Sequence, residues 1–520
     1  MAQEMDFYWA HQFGSDNNAN QIKSVSTDHR DQIIAFTDFE GDFDVDGIVY
    51  QAEEGSDLLL FVLNEQGEHL WSIAGGGPGD QKAQEVHCDS DGNIYIMGLF
   101  ESSISLGVFS FESNGSFDMF IAKYSNEGDL LWLNSYGGPN SESFETMKIK
   151  HKNLYLGGRF YNYTILENDT IFSTDGTDVF VAKINLNGEL LDAISIGGES
   201  VDMISSIDVD LNGNVFIAGD FYQNIQFGDL SFDAGESLGL YLAKFDVNLD
   251  FVWAYQFEGD DLRPNLLLGL DSESNITVAG TFSSNLSFGN IQLNTADFDE
   301  DIFVAHFSED GLVNWASRFY SNSMESVIGL QVDRLGNAYL AGHYLNHINF
   351  NDVILQYNLC CGDPEIFFVK LDNTGELLDA NQLTGERSQV SAMTVPEVNQ
   401  VVLAGQFSDE LAIGDMTLHS LSSYNVFVTY YKDDTWLRMG KKSMANELSI
   451  YPSLFHSSFQ INDLQDNSTL FIFNEKGQLM EEIHHHGDII VLGYDWPVGL
   501  YLIKNVLENG DHSIQKVIKL

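Results

Sequence analysis

Apolar and polar positions alternate with a period of two along most of this chain, and Gly, Asn and Asp interrupt the alternation at short intervals. Four such runs follow one another at 84–88, 94–100, 117–124 and 130–136. Each is rich in β-branched and aromatic residues, which predicts strands rather than helices. Asp91-Gly92-Asn93 separates the first two runs, and Asn126-Glu127-Gly128 separates the last two. Gly and Asn accept the positive φ of a tight turn, so both segments are predicted chain reversals.

The same four-strand block recurs seven times. Its register is marked by one residue near the start of the last strand: Trp9, Trp71, Trp132, Ala193, Trp253, Trp315 and Ala380, at intervals of 62, 61, 61, 60, 62 and 65 residues. A long period filled with short strands predicts an all-β fold, a seven-bladed β-propeller over residues 1–431. The frame is offset, because the chain opens with a last strand at 7–13 and the seventh block stops after a third strand at 425–431. These two are predicted to pair, giving an N/C-terminal strand closure with no open edge.

The stretches Asp118-Met-Phe-Ile-Ala-Lys123, Asp178-Val-Phe-Val-Ala-Lys183 and Asp301-Ile-Phe-Val-Ala-His306, with Ile217-Ala-Gly-Asp-Phe221 and Val278-Ala-Gly-Thr-Phe282, carry a family likeness. Residues 7–431 resemble SBBP repeats, the seven-bladed propeller repeats of bacterial secreted proteins. That resemblance implies architecture and says almost nothing about activity. Residues 447–520 alternate without a helical period and predict a small C-terminal β-sandwich. From Glu447-Leu-Ser-Ile-Tyr-Pro452 through Gly499-Leu-Tyr-Leu-Ile503 to Lys516-Val-Ile-Lys519, this part resembles the type A C-terminal sorting domain of the type IX secretion system of Bacteroidetes. It departs from the family where Pro452-Ser453-Leu454 replaces Pro-Asn-Pro. The implied partner is the secretion machinery. The implied location is secreted or cell-surface, at the outer-membrane exterior, after signal-peptide removal and passage through the periplasm. The numbering reads as a mature chain whose leader has been removed.

The chain has 78 acidic and 23 basic residues, a net charge of −55. Residues 1–431 hold 66 of the acids and 15 of the bases, so the propeller carries the excess. Such a field repels nucleic acid and favours cationic partners or divalent ions. Lys432, Arg438, Lys441 and Lys442 mark 432–446 as a linker. No run of 18 apolar residues predicts a transmembrane segment. Cys88 is expected in a core; Cys360 and Cys361 are adjacent, a strained geometry for a disulfide, and are expected to stay reduced.

Candidate chemistry is sparse. Asp89 and Asp91, like Asp208 and Asp210, gather hard oxygen ligands of the kind calcium takes, but they coincide with tight turns that favour Asp for other reasons. His484-His485-His486 is a weaker metal candidate. No nucleophile elbow, zinc-protease helix or phosphate loop occurs, and Ser308 to Trp315 misses the Asp-box spacing of sialidases by one residue. Long links between second and third strands, at 101–116, 161–176, 222–237, 283–299 and 345–363, predict loops concentrated on one face. There one position just before the end of the second strand varies between blocks: Asp38, Leu99, Arg159, Asp220, Thr281, His343 and Gln406. The links between blocks add one carboxylate each, Asp16, Asp80, Glu142, Asp202, Asp260, Glu325 and Glu386, which could hold a cation in a central channel. The function these features predict is non-enzymatic binding of a glycan or protein on the loop-bearing face. The alternatives are an extracellular polysaccharide hydrolase or lyase, and a structural surface-layer component.

Overall fold

A strand buried on both faces needs a continuous apolar run, and the third strands have one: the six residues 58–63, Leu-Leu-Leu-Phe-Val-Leu, are all buried. In the computed structural model such strands lie inside antiparallel sheets built from successive blocks. The structure describes residues 7–14, 21–140, 142–167, 169–295, 300–321, 323, 325–351, 353–356, 363–420 and 424–432, and, further on, 449–451, 454–455, 459–462, 468–474, 479–485, 490–492, 499–506 and 512–519. Cys360, Cys361, Asp16, His486 and most of the 432–446 linker fall outside them. The chain divides into two units, Met1–Lys432 and Asp433–Leu520.

The first unit is all-β, with no helix among the described residues. The second block is typical: Gln81–Cys88, Ile94–Leu106, Phe109–Tyr124 and Leu130–Tyr136 pair in sequence order. First strands of successive blocks lie side by side. Gln21–Thr27 neighbours Gln81–Cys88, followed in turn by Ser143–Lys150, Asp202–Val209, Leu267–Leu270, Glu325–Val332 and Gln389–Thr394, which lies against Gln21–Thr27 again. The succession therefore returns on itself. Phe7–Phe13 pairs antiparallel with Asn425–Lys432, from Phe7 opposite Tyr431 to Phe13 opposite Val426, so the last sheet takes strands from both ends of the unit.

The core lies between sheets, not within one. Each apolar cluster joins neighbouring blocks; that of the closing junction sets Trp9, Val402 and Val428 against Ile22, Phe43 and Phe61. The repeated Trp completes these junctions. Trp9, Trp132, Trp253 and Trp315 each donate their indole N–H to a turn carbonyl of the next block, Glu65, Leu186, Glu309 and Asn373, at 2.8–3.3 Å. The turn glycine packs beneath the ring, and a Cβ on Gly67 would come within 2.8 Å of Trp9. This explains why Trp and the Gly turn recur together.

The long links are not loops. Residues 101–116 continue the second and third strands as a hairpin, turned at Gly107 with φ 56°. Equivalent hairpins are Val215–Phe227 with Leu230–Phe245, His347–Phe350 with Val353–Gln356, and Glu410–Ile413 with Met416–His419. A left-handed residue precedes most of them, Gly41, Ser102, Asn162, Gln223, Asn346 or Asp409, and several coincide with a register shift in the ladder. The shift swings the hairpin off its own sheet and onto the preceding one. Its backbone then bonds the end of that sheet's last strand: Gly14 to Asp44, Gly76 to Ser105, Gly137 to Ile165, Gly197 to Gln226 and Tyr320 to Asn349 by hydrogen bonds, Glu258 with Ser287 and Thr384 with Ala412 by strand pairing.

The second unit contains one sheet of Ser449–Tyr451, Phe459–Asn462 and Ile490–Leu492, and another of Leu454–Phe455, His512–Lys519, Gly499–Val506, Ser468–Asn474 and Leu479–His485. Leu470, Ile472, Tyr501 and Ile503 are buried. His484 and His485 lie opposite Thr469 and Ser468 in the second sheet.

Candidate functional site

A cavity of about 680 Å³ lies where the first strands begin and the second strands end. Gln21, Lys23, Lys82 and Gln84 line it from first strands, Asp38, Leu99 and Gln406 from second strands, and Asp80 from the link between blocks. Three of the seven variable positions, Asp38, Leu99 and Gln406, thus share one cavity. Gln406 Nε2 donates to Gln389 Oε1 at 3.1 Å. Asp38 Oδ1 accepts the Ala83 amide of the next block at 3.1 Å; burial raises its pKa, and the Lys23 charge opposes that.

The remaining variable positions line no part of this cavity, and three of them reach toward the next block. Arg159 forms an ion pair with Glu145 at 2.9 Å and contacts Met203 Sδ at 3.2 Å. Asp220 is pushed up to about 6 by burial, against the Asn265 amide and the Arg159 charge. Thr281 is half-buried opposite Ile302. His343 Nε2 accepts the Val390 amide at 2.9 Å. A pattern read from the sequence as variable ligand chemistry thus also works between sheets, with Asp38 and His343 both accepting a first-strand amide beside a register shift.

The His343 contact needs a neutral ring, and burial holds its pKa down to about 4 from 6.5. Because the folded value is depressed, this contribution is complete above pH 6.5 and is lost as pH falls toward 4. The shift corresponds to about 3 kcal/mol. Chemical denaturation should show the stability gap between the native chain and His343→Gln closing by about that amount from pH 7 to pH 4. A gap that stays constant with pH would refute the assignment.

The turn carboxylates are already engaged. Asp89 Oδ1 accepts the amides of Asp91 and Asn93, and its Oδ2 accepts Asn93 Nδ2 and the Tyr95 hydroxyl, all at 2.9–3.0 Å. Asp210 does the same for Asn212 and Asn214. Asp208 pairs with Lys148 at 3.1 Å and accepts the Leu270 amide, while Asp91 is exposed. At Asp89 and Asp210 these bonds hold the turns.

The carboxylates of the links divide sharply. Asp260 and Glu386 are exposed, whereas Glu142 and Asp202 are 1% and 0% exposed. Burial pushes Glu142 up to about 7 against the pull of the nearby Gly138 amide, and the Asp118 charge adds to the rise. Asp202 is raised to about 8, chiefly by burial, with the Gly198 amide opposing and Asp178 and Asp220 adding. The third-strand acids Asp57, Asp118, Asp178, Asp301 and Glu365 are buried as well. Three of these, Asp118, Asp178 and Asp301, open the repeated motif of the sequence, and their fixed place two residues before a core Phe is the signal that points to their burial.

No family model matches the chain. It is 21% identical to a WD repeat-containing protein of Acanthamoeba polyphaga mimivirus, over 56% of this chain and 26% of the relative, so it spans about a quarter of that protein's length. Among solved structures it is similar to PorZ, a surface component of the type IX secretion system of Porphyromonas gingivalis, at 13% identity and a TM-score of 0.24, covering 96% of this chain and 81% of that one. It is also similar to the phage phi92 endosialidase, at 11% identity and a TM-score of 0.35, covering 99% and 79%. Superpositions at such scores do not define a common fold. No helix among the described residues is long and apolar enough to cross a membrane.

Proposed function

We propose that residues 1–431 form a seven-bladed β-propeller and 447–520 a sorting β-sandwich, joined by the 432–446 linker. The propeller is a secreted or cell-surface, non-enzymatic module that binds a glycan or protein at the face where the first strands begin. The architecture is supported by the closed succession of first strands and by the pairing of Phe7–Phe13 with Asn425–Lys432. The binding reading rests on the 680 Å³ cavity, whose lining mixes ammonium, carboxylate, amide and apolar groups that differ from block to block. Such irregular chemistry on a regular frame suits an asymmetric ligand.

Lys23 and Lys82 are two of only 15 bases among residues 1–431 and face the same cavity. The full chain, screened on an array of extracellular glycans and surface proteins, is expected to select a ligand whose affinity drops about tenfold, or 1.4 kcal/mol, in Lys23→Ala/Lys82→Ala. Unchanged affinity in that variant would remove the cavity from the function. Turnover of a polysaccharide by the native chain would replace binding with hydrolase or lyase chemistry.

A further inference from the structure

A buried carboxylate is costly unless a positive charge or several hydrogen bonds accompany it. Among the described residues, three junctions between blocks hold two buried carboxylates each: Asp118 with Glu142, Asp178 with Asp202, and Asp301 with Glu325. Asp118, on a third strand, is 0% exposed, and Glu142, at the start of the next block, is 1% exposed. Asp178 and Asp202 repeat the arrangement at 0% each. Asp118 accepts the Asn114 backbone and side-chain amides at 3.0 and 3.2 Å and the Ser113 hydroxyl at 3.5 Å, Asp178 accepts the Thr174 amide at 2.8 Å and Asp202 accepts the Gly198 amide at 2.7 Å. The other three acids of the first two pairs keep oxygens to spare. Both oxygens of Glu142, which lies near the Gly138 amide without a hydrogen bond of normal geometry to it, and one each of Asp178 and Asp202 are buried without a hydrogen-bond partner, as is the hydroxyl of buried Thr164.

Each of these two pairs converges on adjacent glycines of one loop. A Cβ on Gly137 would lie 2.6 Å from the Asp118 carboxyl carbon, and one on Gly138 would lie 3.1 Å from Glu142 Oε1, with Thr164 also beside it. At the next junction a Cβ on Gly197 would overlap the Asp178 carboxyl, while Gly198 bonds Asp202. Bare backbone closes over both carboxylates.

Comparison with the other junctions shows what is missing. Asp301 sits where Asp118 and Asp178 do, two residues before the strand's core Phe, and there Arg318 pairs with it at 3.2 Å. Arg318 lies opposite Phe303, the place that Ser135 and Ser195 take opposite Phe120 and Phe180. The junction of Asp57 has neutral Gln81 as the second group, and that of Glu365 has buried Ser388. Of the three junctions with paired buried acids, only that of Asp301 and Glu325 has an arginine, and the Asp118/Glu142 and Asp178/Asp202 pairs have none among the described residues.

We propose that the Asp118/Glu142 and Asp178/Asp202 junctions each bind one divalent cation of the calcium type, enclosed between sheets. Calcium takes six to eight hard oxygens and tolerates irregular geometry. Among the described residues no three acidic, histidine or cysteine side chains gather, so the pair supplies two carboxylates and the remaining ligands are carbonyl, hydroxyl and water oxygens.

The test uses the full chain, dialysed against chelator and titrated with calcium near neutral pH by calorimetry. Two calcium ions per chain are expected, saturating by a few millimolar, as in extracellular modules. Glu142→Gln and Asp202→Asn should each remove one, and the double variant both. The thermal midpoint of the native chain should rise with calcium, and that rise should vanish in the double variant, which also shows that the variant still folds. No binding at millimolar calcium, or two ions retained by a folded double variant, would overturn the proposal; the first result would mean that each pair shares a proton instead.

Discussion

The pair Trp9→Ala/Phe13→Ala is expected to bring the first unit to the edge of unfolding. Both side chains are 7% exposed and anchor Phe7–Phe13 between Asn425–Lys432 and the first block. Truncating a buried Trp or Phe costs about 3–5 kcal/mol. Two together therefore approach about 6–10 kcal/mol, comparable with the total stability of a typical domain. Loss of the strand also uncovers the edge of Asn425–Lys432, so concentration-dependent association should follow. Urea denaturation followed by circular dichroism, with light scattering alongside, measures both effects. A loss below about 2 kcal/mol would mean that the terminal strand contributes little to closing the ring.

Gly219→Ala is expected to cost about 3 kcal/mol or more, far beyond an ordinary surface substitution. The register shift between Ile204 and Ser206 pushes the Met203 carbonyl toward the second strand, where an added Cβ would run into it and lie 2.7 Å from the Tyr241 hydroxyl. Neither neighbour is free to move, because Tyr241 is fully buried and donates to that same carbonyl. Gly342 and Gly405 face the same obstacle at Ser326 and Gln389. The first block solves it differently: Thr37 turns its hydroxyl onto the Gln21 carbonyl at 2.7 Å. Alanine has no donor with which to do so. Denaturation midpoints of Gly219→Ala and Gly342→Ala decide the matter, and a cost under about 1 kcal/mol would show that the strands separate freely.

Strands, tight turns and the meeting of the two end strands could be read from the chain because each depends on local signals: period-two alternation, Gly or Asn at a reversal, and a fixed repeat frame. The hairpins at 101–116 and their equivalents were hidden because a left-handed residue such as Ser102 or Gln223 shifts the alternation by one, and a shifted pattern reads as none. The inward pairs Ile104 and Leu106, Ile225 and Phe227, Leu411 and Ile413 held the information, each followed by a positive-φ glycine. Of the candidate site, the Asp38, Leu99 and Gln406 grouping follows from register alone. The acids between sheets do not, because carboxylates look like surface until neighbouring sheets are placed against them.

Thr429 reaches Trp9 across 420 residues of sequence. During synthesis, at roughly 5–20 residues per second, the opening segment therefore waits about 20 to 80 seconds before its partner exists. Throughout that delay Trp9 and Phe13 present a greasy, unpaired ribbon. An escort that shields this strand until the last sheet is made would suit this chain better than one acting only after release.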